Sequence, residues 1–329
     1  MTTMTHTLKA PRARLEVRRT LVGYGLFALL AVTLLTFAWL RPSFASEGNI
    51  TDMLRSASIA AIMFLGVTWI IAAGEIDVSF MSVAALANML VAGLVKAGFG
   101  WPEAVALGLA AGLVFGLINA LLVAVLRLPA LVITIATGGL AGSIAAAIGL
   151  GTSISLSGTG FVGVLVNANL GIIPVLAILV LVLYAGAWYV QERLTFGHYL
   201  YAMERNREAV NEAGIPAQRI LVLLYLFSAV LSAVAGILLA ANLSSGQPYI
   251  GNSYFLDGLT AVLLGGMALK LGKPNVIGTL TAVLLLTALL SGAALLGWTD
   301  SQRQIVRGLM LLVGVAIVVK ARRKNRAEL

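Results

Sequence analysis

The sequence predicts an all-α integral membrane protein, a polytopic bundle of about ten transmembrane helices, and three observations carry that prediction. Of 329 residues, 60% are hydrophobic and 11% charged, against about 25% charged in soluble domains. The apolar content extends over nearly the whole length, with a mean hydropathy of +1.00, which describes one multi-span domain and not a soluble domain on an anchor. The Lys and Arg residues behind the net charge of +9 stand in short stretches between apolar runs and in the tails. That placement orients membrane spans; nucleic acid, which needs a basic face on a folded surface, is excluded as a partner.

Taken in order, residues 1–20 are a basic cytoplasmic tail with Lys9, Arg12, Arg14, Arg18 and Arg19. The run 21–40 exceeds the roughly 7 to 15 apolar residues of a secretory signal and is expected to be a retained span. A crossing helix needs about 20 apolar residues, because its backbone polar groups must be satisfied within the segment. Runs of that order follow at 56–73, 78–95, 104–126, 130–150, 171–190, 220–241 and 275–297, with two short ones at 258–269 and 305–319. The charge-free stretch 128–191 is too long for one crossing, and its Ser-, Thr- and Gly-rich centre, 151–160, predicts a loop. A single membrane domain over 21–319 thus contains one polar island, 191–219, and is followed by a basic tail, 320–329.

Ten crossings put both termini on one side. Seventeen Lys and Arg residues then fall inside: five before the first span, Arg127, four in the island, Lys270, Lys273 and five after Val319. Only Arg41, Arg55, Lys96, Arg303 and Arg307 fall outside, so the positive-inside rule makes the island and both termini cytoplasmic. Trp39, Trp101, Trp188 and Trp298 stand at span ends, where amphipathic rings prefer the interface. A five-and-five division gives halves of opposite topology whose third spans are each preceded by an acid, Asp77 or Asp257. This is a candidate inverted repeat, an arrangement common in transporters.

Gly108, Gly112 and Gly116 recur every four residues and are expected to bring two helix backbones together. With no Cys, a lone His6 in the tail and a lone His198 in the island, neither a disulfide nor a histidine metal cluster can be drawn. Residues 266–274 lack P-loop spacing and place Pro274 where Ser or Thr would meet magnesium. No nucleophile elbow or serine triad is present, so the chain is expected to be neither an enzyme nor a cofactor carrier. Intramembrane acids cost about 2.5 to 3.5 kcal/mol each at a span centre. Glu75 and Asp77 stand at a span boundary and Asp257 heads a short span, so each either caps a helix or serves substrate or ion passage. Asn88, Asn119, Thr134 and Thr137 either line a hydrophilic path or join helices by hydrogen bonds. In the loop after the seventh span, Gln247, Tyr249, Asn252 and Tyr254 suit contact with a sugar or protein at the outer face, or an ordinary polar loop.

The island balances four acids against four bases, unlike a one-signed lipid-binding segment. Glu204, Glu208 and Glu212 are four apart on one helical face, and Gly214 followed by Pro216 supplies a helix stop. A short helix of about two to three turns centred on 208–215 is expected.

Gly74 to Ser79 is similar to a GGIDLS segment, Asn119 to Thr137 to an N-x-LLV and LP-x-x-x-T-x-x-T pattern, and Phe196 to Ile215 to a coupling-helix segment. Gly246, Gln247, Pro248, Asp257, Gly265, Gly266, Gly272, Gly278 and Thr279 extend the likeness. With these motifs the chain, from about 56 to 319, resembles the permease subunits of bacterial ABC importers for monosaccharides, the ribose, xylose, rhamnose and autoinducer-type family. Glu75, Phe80 and Met81, and residues 203–205, depart from its usual pattern. The resemblance implies a multi-pass protein of the bacterial inner membrane, surrounded by lipid. It forms half of a homo- or heterodimeric pathway with a second permease subunit. It implies an ABC ATPase seated on Asn206, Glu208, Ala209, Glu212, Ala213, Gly214 and Ile215, and a periplasmic solute-binding protein at the outer face. Ser79, beside Glu75 and Asp77, is a further candidate for the path or for a helix cap. A branched-chain amino acid ABC permease, or an ion-coupled secondary transporter using Glu75, Asp77 or Asp257, are the alternatives; a structural or receptor-like membrane protein comes third.

Overall fold

A computed structural model describes residues 12–327, with side chains over 23–316; His6 and Lys9 lie outside these residues. The order is α1 (Arg12–Leu40), a 3-10 turn (Pro42–Ala45), α2 (Glu47–Ala72), α3 (Phe80–Lys96) and α4 (Trp101–Asn119), continued by a π-turn (Ala120–Val125). Then come α5 (Ala130–Ile148), β1 (Ile154–Ser155), α6 (Gly160–Asn167), β2 (Asn169–Leu170), β3 (Ile173–Pro174), α7 (Val175–Arg193), α8 (Thr195–Arg205) and α9 (Arg207–Glu212). The chain closes with α10 (Ala217–Asn242), β4 (Ser245–Gly246), α11 (Ile250–Gly265), α12 (Val276–Leu295) and α13 (Asp300–Ala327). Seven of these helices are long and apolar enough to cross a membrane, and Phe80–Lys96 is a shorter apolar one.

Every residue of α2 from Ala57 to Ala72 is buried, and α10 is buried along most of its length, as expected of helices apolar all round. These two helices, each of 26 residues, form the centre. α2 packs on α10, α11 and α12, and α10 on α2, α3 and α4. The glycine row does the predicted work: a Cβ on Gly112 or Gly116 would stand 2.5 or 2.8 Å from Ala233 Cβ or Ala229 Cβ of α10. α11 and α12 meet similarly, since a Cβ on Gly265 would lie 2.5 Å from Thr279 N.

Several boundaries differ from the sequence reading. α1 and α13 run without a break into the basic stretches taken as separate tails; Arg, Lys and Glu favour helix, so polar residues prolong a helix already nucleated. α2 starts at Glu47, nine residues before the apolar run, because Ser46 accepts from Asn49 N as its N-cap and Arg55 pairs with Asp52 at 2.8 Å. α11 starts at Ile250, so Asp257 stands in its second turn and heads nothing. Residues 151–160 are not plain loop: β1 pairs antiparallel with β4, Ile154 opposite Gly246. The island is also resolved differently. Gln191 belongs to α7 and is 2% exposed, its Oε1 accepting the Val276 N–H at 2.9 Å. Asn206 is extended (φ −157°, ψ 98°) and breaks the remainder into α8 and α9, so Glu204 does not share one continuous face with Glu208 and Glu212.

Candidate functional site: a neutral cleft backed by a buried hydrogen-bond chain

Two non-helical segments, 73–79 after α2 and 243–249 after α10, fold back into the bundle before a shorter helix begins. Asn88 of α3 anchors the second: its Oδ1 accepts the Gln247 N–H at 2.6 Å and its Nδ2 donates to Gly236 O at 3.3 Å. Gly246 permits the approach, since a Cβ there would lie 2.5 Å from Ala92 Cβ. Thr134 of α5 anchors the first, accepting the Val78 N–H at 3.3 Å and donating to Ala130 O at 2.8 Å.

Between these segments lies a cleft of about 580 Å³, within the usual range for small-molecule sites. Val78, Met81 and Ser82 form one wall, Leu131, Thr134, Ile135 and Ser143 of α5 the second, and Pro248, Tyr249, Asn252 and Phe255 the third. Its polar side chains are Ser82, Thr134, Ser143, Tyr249 and Asn252, and none of its lining residues is charged. Gln247 lies apart from these, in a smaller recess with Gly151, Ser153 and Tyr249.

Behind the wall runs a chain of buried polar groups. Thr137 Oγ1 donates to Asn119 Oδ1 at 2.7 Å, Asn119 Nδ2 to Ser79 Oγ at 2.8 Å, and Ser79 Oγ to Asp77 Oδ1 at 2.6 Å. The Ser79 N–H donates to the same oxygen at 2.8 Å, and Ser228 Oγ of α10 to Asp77 Oδ2 at 3.0 Å. Asp77, Ser79, Asn119 and Thr137 are all buried; they join four parts of the bundle and, unlike Thr134, do not line the cleft. Burial is tolerable because each carboxylate oxygen has a donor.

The other two acids face basic partners. Arg307 Nε of α13 lies 3.2 Å from Asp257 Oδ1, a charge contact without hydrogen-bond alignment. Asp257 is therefore neither a cap nor a cleft residue. Arg207 Nη1 lies 3.5 Å from Glu75 Oε1; burial raises the Glu75 carboxyl above its ordinary range and the Arg207 guanidinium draws it back. Tyr254 is partly buried, and its ring packs 6.4 Å from that of Phe64.

Most of the candidate coupling residues form an exposed surface. Asn206, Glu208, Ala209, Glu212, Ala213 and Gly214 are exposed, while Val210 and Met203 are buried and Ile215 packs partly against the core. Asn206 Oδ1 accepts the Ala209 N–H at 3.0 Å as the N-cap of α9, and Gly214 (φ +80°) ends it. Sequence reasoning missed Arg207, Ser228 and Arg307, whose partners lie far along the chain, and missed Ser82 and Ser143, which look like ordinary small helix residues.

The family described as "branched-chain amino acid transport system / permease component" matches residues 49–315. Among relatives, a ribose import permease protein of Bacillus subtilis is 32% identical over 95% of this chain and 98% of its own length. The ribose import permease protein of Escherichia coli is 32% identical over 89% and 92%, and that organism's L-arabinose transport system permease protein 30% over 97% and 96%. No solved structure matches the chain. A match over most of the length, on a bundle with an uncharged cleft, has one meaning: the chain belongs to this permease family of ABC importers and is a transport subunit, not an enzyme.

Proposed function

We propose that this chain moves a neutral, polyhydroxylated solute of the monosaccharide class inward through the cleft by alternating access, driven by ATP hydrolysis in a separate subunit. The observation that carries the reading is the lining itself: hydroxyl and amide groups set among apolar side chains, with no charge. A zwitterionic amino acid would leave two charges without partners there, which disfavours the amino acid alternative. The relatives named for ribose and arabinose support the same class. Ion-coupled transport is disfavoured because Glu75, Asp77 and Asp257 face Arg207, Ser79 with Ser228, and Arg307, not the cleft.

In this reading the ten long or apolar helices α1–α5, α7 and α10–α13 cross the inner membrane, with both termini, α8 and α9 cytoplasmic. The equal lengths of α2 and α10, each followed by an inward-folding segment and a shorter helix, support two inverted five-helix halves. A second permease subunit completes the path beside α5, a solute-binding protein delivers at the Gln247 end, and the ATPase seats on the exposed face of α9. Uptake of labelled pentoses, deoxyhexoses, polyols and amino acids by cells with and without this chain tests the substrate class: chain-dependent sugar uptake supports it, and chain-dependent amino acid uptake overturns it. Gly214→Pro and Glu208→Arg should abolish uptake while leaving membrane insertion intact; normal uptake in both would refute the role of α9.

A further inference from the structure

α9 begins at Arg207, and this one side chain reaches the roots of two cleft walls. Its Nη2 donates to the carbonyl oxygen of Ala124 at 3.2 Å, and its Nη1 lies 3.5 Å from Glu75 Oε1. Arg207 and Glu75 are each 24% exposed, so the contact is largely shielded from water.

The Ala124 carbonyl is free for a reason found in the sequence. It lies in the π-turn that closes α4, where Leu126 N–H donates five residues back to Leu121 O at 2.9 Å. The same pattern would pair Ala124 with residue 129, but Pro129 has no N–H. Leu128 N–H is already given to Leu122 O at 3.0 Å. A buried carbonyl needs some donor, and the guanidinium supplies it from another element. The fork of an arginine can serve this oxygen and a carboxylate together, which an ammonium group cannot match in geometry.

Each acceptor leads directly to the cleft. Glu75 is followed within three residues by Asp77 and Val78, the latter in the first wall. Ala124 is followed after six residues by α5, whose Leu131 and Thr134 belong to the second wall. Asn206, extended and capping α9, fixes the point from which Arg207 departs.

We infer that Arg207 is a positioning residue that transmits displacement of α9 to both cleft walls, through Glu75 and through the Ala124 carbonyl. The inference rests on the proposed seating of the ATPase on α9. Because the chain has no Cys, Ser143→Cys introduces the sole thiol, on the wall formed by α5. In the complex with its ATPase in proteoliposomes, the maleimide labelling rate of that thiol is measured with and without ATP plus orthovanadate, alongside ATP hydrolysis. Nucleotide trapping should change the labelling rate in the Arg207 background. Arg207→Gln should cut that change about tenfold, within the range of couplings between sites, while hydrolysis continues; Arg207→Lys should fall between. An undiminished response in Arg207→Gln overturns the inference. If Glu208→Arg abolishes the response under those conditions, the seating on α9 stands and only Arg207 is wrong; if Glu208→Arg also responds fully, both fall. Should Arg207→Gln not assemble, Arg207→Lys and Glu75→Gln decide, and a full response in both overturns the inference.

Discussion

Gly66 and Ser228 bring the two central helices into backbone contact: a Cβ on Gly66 would stand 2.4 Å from Ser228 Cα and 2.9 Å from its Cβ. The same Ser228 donates to Asp77, so the spacing of α2 and α10 also sets the length of a buried hydrogen bond. Gly66→Ala must push the helices apart, at an overpacking cost of about 1–3 kcal/mol. Thermal unfolding in detergent should show a lowered midpoint. Gly139→Ala, with nothing within 4 Å of the added carbon and at a helix-interior position where Ala is the better helix former, should not lower the midpoint.

Asp77 serves as an acceptor for Ser79 and Ser228, so its charge matters less than its oxygens. Asp77→Asn keeps one acceptor for Ser79 and should retain most uptake. Asp77→Ala strands three buried donors, the Ser79 N–H and the Ser79 and Ser228 hydroxyls, at about 1–3 kcal/mol each and should lose both stability and uptake. A site that carries protons or cations would instead make Asp77→Asn as damaging as Asp77→Ala, which parallel uptake assays would reveal.

The Asp257–Arg307 contact holds α11 to α13 with both side chains largely buried. Removing either partner leaves an uncompensated charge, and breaking such a pair costs about 3–5 kcal/mol. Asp257→Ala and Arg307→Ala should each lower detergent stability strongly. The double substitution should cost less than the two single losses added together, as a double-mutant cycle would register.

Gly74 and Gly214 both have positive φ, +89° and +80°, a conformation that costs other residues about 1–2 kcal/mol. Gly214→Ala should cost only that, because nothing lies within 4 Å of the new carbon. Gly74→Ala should cost more, because its Cβ would also stand 2.9 Å from Glu204 Cα of α8. Comparing the two unfolding midpoints tests the difference.

Ser143 and Ser79 differ in access, one exposed on the cleft wall and the other 1% exposed behind it. In the cysteine-free chain, Ser143→Cys should react readily with a small maleimide, and excess transported sugar should slow the reaction. Ser79→Cys should stay unlabelled until the protein unfolds.

The positions of the apolar helices were legible because hydrocarbon demands long uncharged runs, and that demand is local. Even there, polar turns escaped: residues 250–257 did not look like helix, because Asn252 serves the cleft and Asp257 meets Arg307. The packing role of Gly108, Gly112 and Gly116 was readable from their spacing alone, since a period of four marks one helix face.

By itself the sequence determined a polytopic helical membrane chain and, within its polar island, a short helix that stops at Gly214. Those properties depend on composition and on neighbours within a few residues. Tertiary structure alone decided what the polar residues do: that Asn119, Thr137 and Asp77 form one chain behind the cleft, that Ser82, Thr134 and Ser143 line it, and that Arg207 joins the island to Glu75 and to the Ala124 carbonyl. A buried polar group takes whichever partner the packing brings within hydrogen-bond reach, and Ser228 or Arg207 reaches its acid only after helices distant in sequence have packed side by side.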